Sequence, residues 1–140
     1  MQLDLYLQET AAHAARQSLI LQEARIRLVG HGALTPLEFS GVVHAWQVLV
    51  ENSIGKAKHW LKYCGVAVPI SAYDSFSLLR QLNLISAESL SGWQKAIGLR
   101  NRIVHDYLNL DDQVVIALIQ SNADQFMIDF LNTPFRLPNE

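Results

Sequence analysis

Apolar residues recur at helical spacing in each long segment of this chain, and no segment shows the sustained alternation of a half-buried strand. The clearest helix signal is TPLE, in which Thr35 is a predicted N-cap, Pro36 suits the first helical position and Glu38 completes a capping box. The apolar stripe after this signal comprises Val43, Trp46, Val50, Ile54, Ala57 and Leu61. It predicts a long helix that ends near Cys64-Gly65.

Four further helices are predicted from periodicity, caps and breakers. Their expected bounds are residues 3–29, 71–82, 87–108 and 112–132. The side chains expected to face inward from the second of these segments are Tyr73, Phe76, Leu79 and Leu82. We therefore predict an all-α fold, a single domain over residues 1–140. It is a helical bundle of about five helices with two long antiparallel helices at its centre.

The composition favours a protein that associates with partners. Charged residues make up 17% of the chain and hydrophobic residues 50%, whereas soluble domains usually carry about a quarter charged residues. A small domain with so few charges leaves apolar surface for a partner chain to cover. The formal net charge of −2 gives no general attraction for nucleic acid, so any contact with nucleic acid has to be local.

The same sequence carries no sign of export or of a membrane. The N-terminus MQLDLYLQE lacks the basic and apolar regions of a signal peptide, and no apolar run is long enough for a membrane span. A single cysteine, Cys64, excludes an internal disulfide and suits a reducing compartment. We expect a soluble cytoplasmic protein with no membrane partner.

The segment LRNRIVHDYLN, residues 99–109, collects polar side chains within an otherwise apolar helix. At about 100° per residue, Arg100 and Tyr107 fall on one stripe, and Asn101 and His105 on the neighbouring one. Arg100 and His105 are then about 140° apart, so they share a broad face without direct contact. Polar groups that lie against apolar neighbours need partners, which favours a site or an interface.

Three charged residues are candidates to support this cluster. Arg102 and Asp106 are four residues apart and are expected to pair on the solvent side of the helix. Glu51 lies in the strongly apolar run HAWQVLVENSI, where a carboxylate needs a cation such as Arg100 or Arg102. The alternative is an exposed Glu51 on an outer stripe with His44.

No metal or cofactor is expected. The remaining histidines lack the H-E-x-x-H or Cys/His spacings of metal sites, and there is no Gly-rich phosphate loop.

Arg100, four intervening residues, His105 and then Tyr107 resemble the RxxxxHxY signature of HEPN-domain proteins. The similarity is greatest to the HepT-like toxins encoded beside minimal nucleotidyltransferases. It extends over nearly the whole chain, through ENSIGKAKHWL, VAVPISAYDSFSLL and GLRNRIVHDYLNLD. The resemblance implies a HEPN-type bundle and a metal-independent endoribonuclease that cleaves RNA through its 2′-hydroxyl. Arg100, Asn101 and His105 would be its catalytic residues.

The resemblance also implies two partners and a mode of control. The domain would form a homodimer with the motif helices apposed, so that Arg100 of one copy meets His105 of the other. A nucleotidyltransferase antitoxin would silence the toxin by adenylylation of Tyr107. The alternative is a non-catalytic HEPN subunit that uses the cleft to bind a nucleotide or a partner enzyme. The near-neutral charge and the lack of a basic stripe keep that alternative open.

Overall fold

The computed structural model describes residues 2–140, and this range is helical with no strand. The elements are α1 (Gln2–His31), α2 (Pro36–Tyr63), α3 (Ala72–Gln81), α4 (Ala87–His105), the 3₁₀ turn η1 (Tyr107–Asn109), α5 (Asp112–Gln120) and α6 (Gln125–Asn132). The predicted all-α class is confirmed. Within residues 2–140 no single helix is long and apolar enough to cross a membrane, and only the bent pair α5–α6, taken together, reaches that length and hydropathy.

The two long helices α1 and α2 form the centre of the bundle, and α2 also packs against α3, α4 and α6. The start of α2 is the predicted capping box. The hydroxyl of Thr35 accepts a hydrogen bond from the backbone N–H of Glu38 at 3.1 Å, and the Glu38 carboxylate accepts one from the Thr35 N–H at 2.8 Å. Gly32 and Gly65 follow the two helices with φ of +75° and +76°. A glycine adopts this left-handed conformation without steric cost, so each helix ends there.

The predicted end of α4 is wrong. The helix stops at His105 rather than at Leu108, because Asp106 leaves the helical region with φ −148° and ψ 43°. Residues 107–109 then form η1. Tyr107 lies beyond the end of α4, so helical periodicity does not predict the direction in which its side chain points.

The predicted fifth helix is also wrong as a single element. Residues 112–132 form α5 and α6, which meet at an angle of 61°. Between them Asn122 has φ +57°, a left-handed conformation that asparagine tolerates better than most residues do. In α3, Tyr73 is 39% exposed rather than turned inward, whereas Phe76 and Leu79 are fully buried.

A buried ion pair connects this bend to α1. Asp124 lies between α5 and α6 and is fully buried. Its Oδ1 is 2.8 Å from Nη1 of Arg25, and its Oδ2 is 3.5 Å from Nη2. Arg25 Nη1 also donates a hydrogen bond to the carbonyl oxygen of Ile119 at 3.2 Å. One α1 side chain thus joins the end of α5 to the start of α6.

A second buried cation, Lys56 of α2, fixes the end of α6. Its Nζ donates hydrogen bonds to the carbonyl oxygens of Phe130 and Thr133, at 2.7 Å and 2.5 Å. Burial disfavours the charged ammonium and lowers the pKa of Lys56 to about 8. One turn later, Trp60 donates its indole N–H to the carbonyl oxygen of Arg136 at 2.9 Å. Together these bonds hold the C-terminal segment against α2.

We expect Arg25→Ala to destabilise the fold by about 3–5 kcal/mol, because it leaves the Asp124 carboxylate buried without its cation. Arg27→Ala is the matched control on the same helix. The pair between Arg27 and Glu38 is more exposed, with 3.3 Å between Nε and Oε2, so its loss should cost less than about 1 kcal/mol. Urea unfolding followed by circular dichroism measures both free energies. Equal losses in the two variants would contradict a dependence of Asp124 on Arg25.

Candidate functional site

Arg100 on α4 is held by a carboxylate from α2. Its Nε and Nη2 donate hydrogen bonds to Oε2 of Glu51 at 3.3 Å and 3.0 Å. Its Nη1 donates to Oδ1 of Asn101 at 3.1 Å. Of the two interpretations of Glu51, the structure therefore shows the ion pair with Arg100. Both side chains stay partly exposed, at 28% for Arg100 and 40% for Glu51, so solvent and a ligand can reach the guanidinium.

A glutamine that sequence reasoning missed contributes to this pair. Gln47, one turn before Glu51 on α2, donates its amide N–H to Glu51 Oε2 at 3.4 Å. The spacing of four residues between Gln47 and Glu51 could have predicted this contact, because side chains at i and i+4 on a helix are neighbours.

His105 ends α4 with its side chain exposed. Among residues 2–140 no side chain hydrogen-bonds to its imidazole, and Asn101, one turn earlier, contacts Arg100 instead. Arg100 and His105 do not meet within one protomer, as their angular separation on α4 predicts. In the same range no group of three or more His, Cys, Asp or Glu side chains is placed to hold a metal ion.

The predicted pair between Arg102 and Asp106 is wrong. Asp106 ends the helix, and its Oδ1 accepts a hydrogen bond from Nδ2 of Asn109 at 2.7 Å. The Arg102 side chain is exposed and forms no ion pair with any residue that the structure describes. The backbone N–H of Asp106 still bonds to the carbonyl oxygen of Arg102 at 2.8 Å. At the non-helical φ of −148°, however, the Asp106 carboxylate contacts Asn109 instead of Arg102.

Tyr107 does not continue the stripe of Arg100, because the helix has already ended. It lies in η1, is 46% exposed and lines a cleft of about 520 Å³ between the α1–α2 connection and the start of α5. The other lining residues are Ala33, Leu34, Thr35, Pro36, Phe39, Ser40, Leu108, Leu110, Asp112, Gln113 and Ile116. The phenol is therefore accessible to a second molecule, next to a cleft with both apolar and polar walls.

Comparison with known proteins places this geometry in a family. The family model described as ribonuclease HepT-like matches residues 14–132, which contain α2 to α6 and the whole of the site. The chain belongs to the HepT-like ribonuclease family. It is 32% identical over 103 residues to the mRNA nuclease HepT of Shewanella oneidensis, across 71% of this chain and 77% of that protein.

The HepT-like fold is also found in solved toxin–antitoxin structures. One is the tri-AMPylated HEPN toxin of Shewanella oneidensis in complex with an MNT antitoxin. It has a TM-score of 0.77 and 28% identity, and the match covers 90% of this chain and 96% of that one. A second is a toxin–antitoxin complex with AMP-PNP, with a TM-score of 0.76 and 26% identity over 90% of this chain and 97% of that one. The predicted HEPN-type bundle is confirmed.

We expect Glu51→Ala to lower ribonuclease turnover by about ten- to hundredfold, because Arg100 loses the acceptor that orients it. Glu51→Gln should recover much of that loss, since an amide oxygen still accepts from the guanidinium. Glu88→Ala, an exposed carboxylate at the start of α4, is the control and should leave turnover unchanged. Turnover of a labelled RNA under saturating conditions measures the effect. Equal activity of Glu51→Ala and the wild type would show that the pair does not position Arg100.

Proposed function

We propose that this chain is the toxin of a type II toxin–antitoxin pair, an endoribonuclease that cleaves RNA through its 2′-hydroxyl without a metal ion. The observation that carries the proposal is the end of α4, where an exposed His105 follows an Arg100 that Glu51 orients. Membership of the HepT-like ribonuclease family and the similarity to an mRNA nuclease support it. RNA and ATP are both found in the cytoplasm, which we propose as its site of action.

The side chains at the end of α4 suit this reaction. Histidine exchanges protons near neutral pH, so His105 can take the proton of the 2′-hydroxyl or donate one to the leaving 5′-oxygen. The attack builds negative charge on the phosphorus oxygens, and the Arg100 guanidinium is a cation that stabilises it. Asn101 accepts from Arg100 through Oδ1, which leaves its amide N–H groups for a phosphate oxygen.

We place the complete site at the interface of a homodimer. Arg100 and His105 diverge on one helix, so an Arg100 of one copy and a His105 of the other form the catalytic pair. Two apolar side chains beside them support an interface: Val104 and Leu108 are 43% and 97% exposed. Exposed apolar residues next to a polar site are the usual composition of a surface that a second chain covers.

Arg100→Ala and His105→Ala should each lower RNA cleavage by about a hundredfold or more. The wild-type protein should remain active in EDTA and leave 2′,3′-cyclic phosphate ends, which mass spectrometry of the products identifies. Gln94→Ala, an exposed residue earlier on α4, is the control. Unchanged cleavage in both variants would favour the non-catalytic binding subunit. Wild-type activity that EDTA abolishes and magnesium restores would contradict the metal-free mechanism.

Mixing the two inactive variants tests whether the site is shared between copies. In a mixed dimer, one site combines both substitutions and the other combines the intact Arg100 and His105. Because half of randomly formed dimers are mixed, the pool should recover about a quarter of wild-type activity. If each protomer instead carried its own site, refolding the variants together would recover nothing.

We propose that Tyr107 is the site of control by the antitoxin. In the modification, the phenol oxygen attacks the α-phosphorus of ATP, pyrophosphate leaves and the phenol proton passes to solvent. The new phosphodiester places a negative charge beside the end of α4, and the adenosine occupies the cleft that Tyr107 lines. The similarity to a tri-AMPylated toxin bound to its antitoxin supports this proposal.

Tyr107→Phe should keep most of the ribonuclease activity and become resistant to the cognate nucleotidyltransferase, because only the acceptor oxygen is lost. Tyr73→Phe is the matched control, since Tyr73 is also a partly exposed tyrosine. Intact-mass spectrometry after incubation with ATP and the nucleotidyltransferase measures added AMP groups. AMP added to the Tyr107→Phe protein at the wild-type level would show that another residue is modified.

A further inference from the structure

Helix α1 carries two opposite stripes, and only one of them faces the core. The buried stripe comprises Thr10, Ala14, Gln17, Leu21, Ala24 and Leu28. The second stripe comprises Leu5, Ala12, Leu19 and Ile26, each seven residues from the next, together with Gln8, Ala15, Gln22 and Val29, each three residues further on. These eight side chains are all exposed.

The second stripe has the a and d spacing of a coiled coil. Its a positions point about 170° away from the buried stripe, so they face directly away from the bundle. Six of its eight residues are apolar, and the three largest near the C-terminal half are strongly exposed: Leu19 at 66%, Ile26 at 71% and Val29 at 90%. An apolar seam that repeats every seven residues is the pattern that a second helix covers.

We propose that this stripe is an antiparallel coiled-coil contact between two copies of the chain. Exposed charges at the flanking e positions, Glu9, Arg16 and Glu23, support a second copy as the occupant. In an antiparallel pair these e positions face one another. When Leu19 packs against Gln22 of the second copy, Arg16 faces Glu23 of the second copy, and the two-fold axis repeats this opposite-charge contact.

The other registers are less favourable. Full overlap of the helices places Glu9 opposite Glu23 and Arg16 opposite its own copy, which are like-charge contacts. A shift in the other direction pairs Glu9 with Arg16 but leaves Ile26 and Val29 uncovered. Only the register with Leu19 against Gln22 covers the largest apolar residues and pairs opposite charges.

A parallel pair is less favourable on the same grounds. It would place Arg16 and Glu23 opposite Ala11 and Ser18 of the second copy, which are uncharged and cannot form an ion pair with them. Arg25, the charged residue that follows on that side, already binds the buried Asp124.

This contact uses a different helix from the proposed catalytic interface. The buried face of α1 packs on α2, α5 and α6, whereas α4, which bears Arg100 and His105, packs on α2 and α3. Two different two-fold contacts on one chain join dimers into a larger assembly. The α1 contact therefore adds a level of association beyond the catalytic dimer.

Charge reversal tests the contact and its register together. We expect Arg16→Glu alone, or Glu23→Arg alone, to reduce the molar mass of the full-length protein in light scattering at micromolar concentration to half the wild-type value or less. Each substitution creates two like-charge contacts across the axis. The double variant Arg16→Glu/Glu23→Arg should recover the wild-type mass, because the opposite-charge contacts return with their signs exchanged.

Two further variants complete the experiment. Leu19→Lys/Ile26→Lys should also reduce the molar mass, because it places charges in the apolar seam, and no second substitution is expected to restore the mass. Lys62→Glu, an exposed charge reversal on α2, should leave the mass unchanged. Single reversals that keep the wild-type mass, or a double variant that does not recover it, would overturn the proposal. If the α1 variants kept the wild-type mass but no longer bound the nucleotidyltransferase, that result would also overturn the proposal and assign the stripe to that partner. The mass does not depend on cleavage of RNA, so failure of the proposed nuclease activity would leave this result interpretable.

Discussion

The contact between Arg25 and Asp124 controls how the C-terminal part of the chain closes on the bundle. A carboxylate buried between two helices is costly unless a cation reaches it, and Arg25 of α1 is that cation. The same guanidinium binds the carbonyl oxygen of Ile119, so it fixes the end of α5 as well. The start of α5 lines the cleft beside Tyr107, so the ion pair that fixes the other end of this helix also helps to position one wall of that cleft.

The polar side of α4 combines a restrained cation with an unrestrained proton carrier. Glu51 orients Arg100, but it also offsets part of the positive charge that a phosphate would meet. The two side chains remain partly exposed. An incoming phosphate can therefore approach the Arg100 guanidinium from the side of Nη1, which Glu51 does not bind. His105 has no such partner among the described residues, and its position at the last turn of α4 leaves it open to a substrate or to a second protomer.

The low charge content has a structural counterpart in two exposed apolar surfaces. One surrounds the end of α4, where Leu108 is almost fully exposed, and the other follows α1 from Leu5 to Val29. Neither stabilises the single chain, because apolar side chains contribute to stability only when they leave water. The retention of these two surfaces accounts for a composition richer in apolar residues than a domain of this size needs for its own core.

The sequence by itself determined the helices whose signals are local. The capping box of Thr35 and Glu38 and the N-caps Ser86 and Asp111 act within a few residues, and each one starts a helix in the structure. The motif residues of α4 were equally predictable, because their spacing is a property of one segment.

Tertiary structure decided the rest. The bend between α5 and α6 depends on an arginine 99 residues away, and the partner of Arg100 is 49 residues away. Such contacts form only after packing brings distant helices together, so no local pattern could choose between the candidate cations for Glu51 or show that Asp124 would be buried.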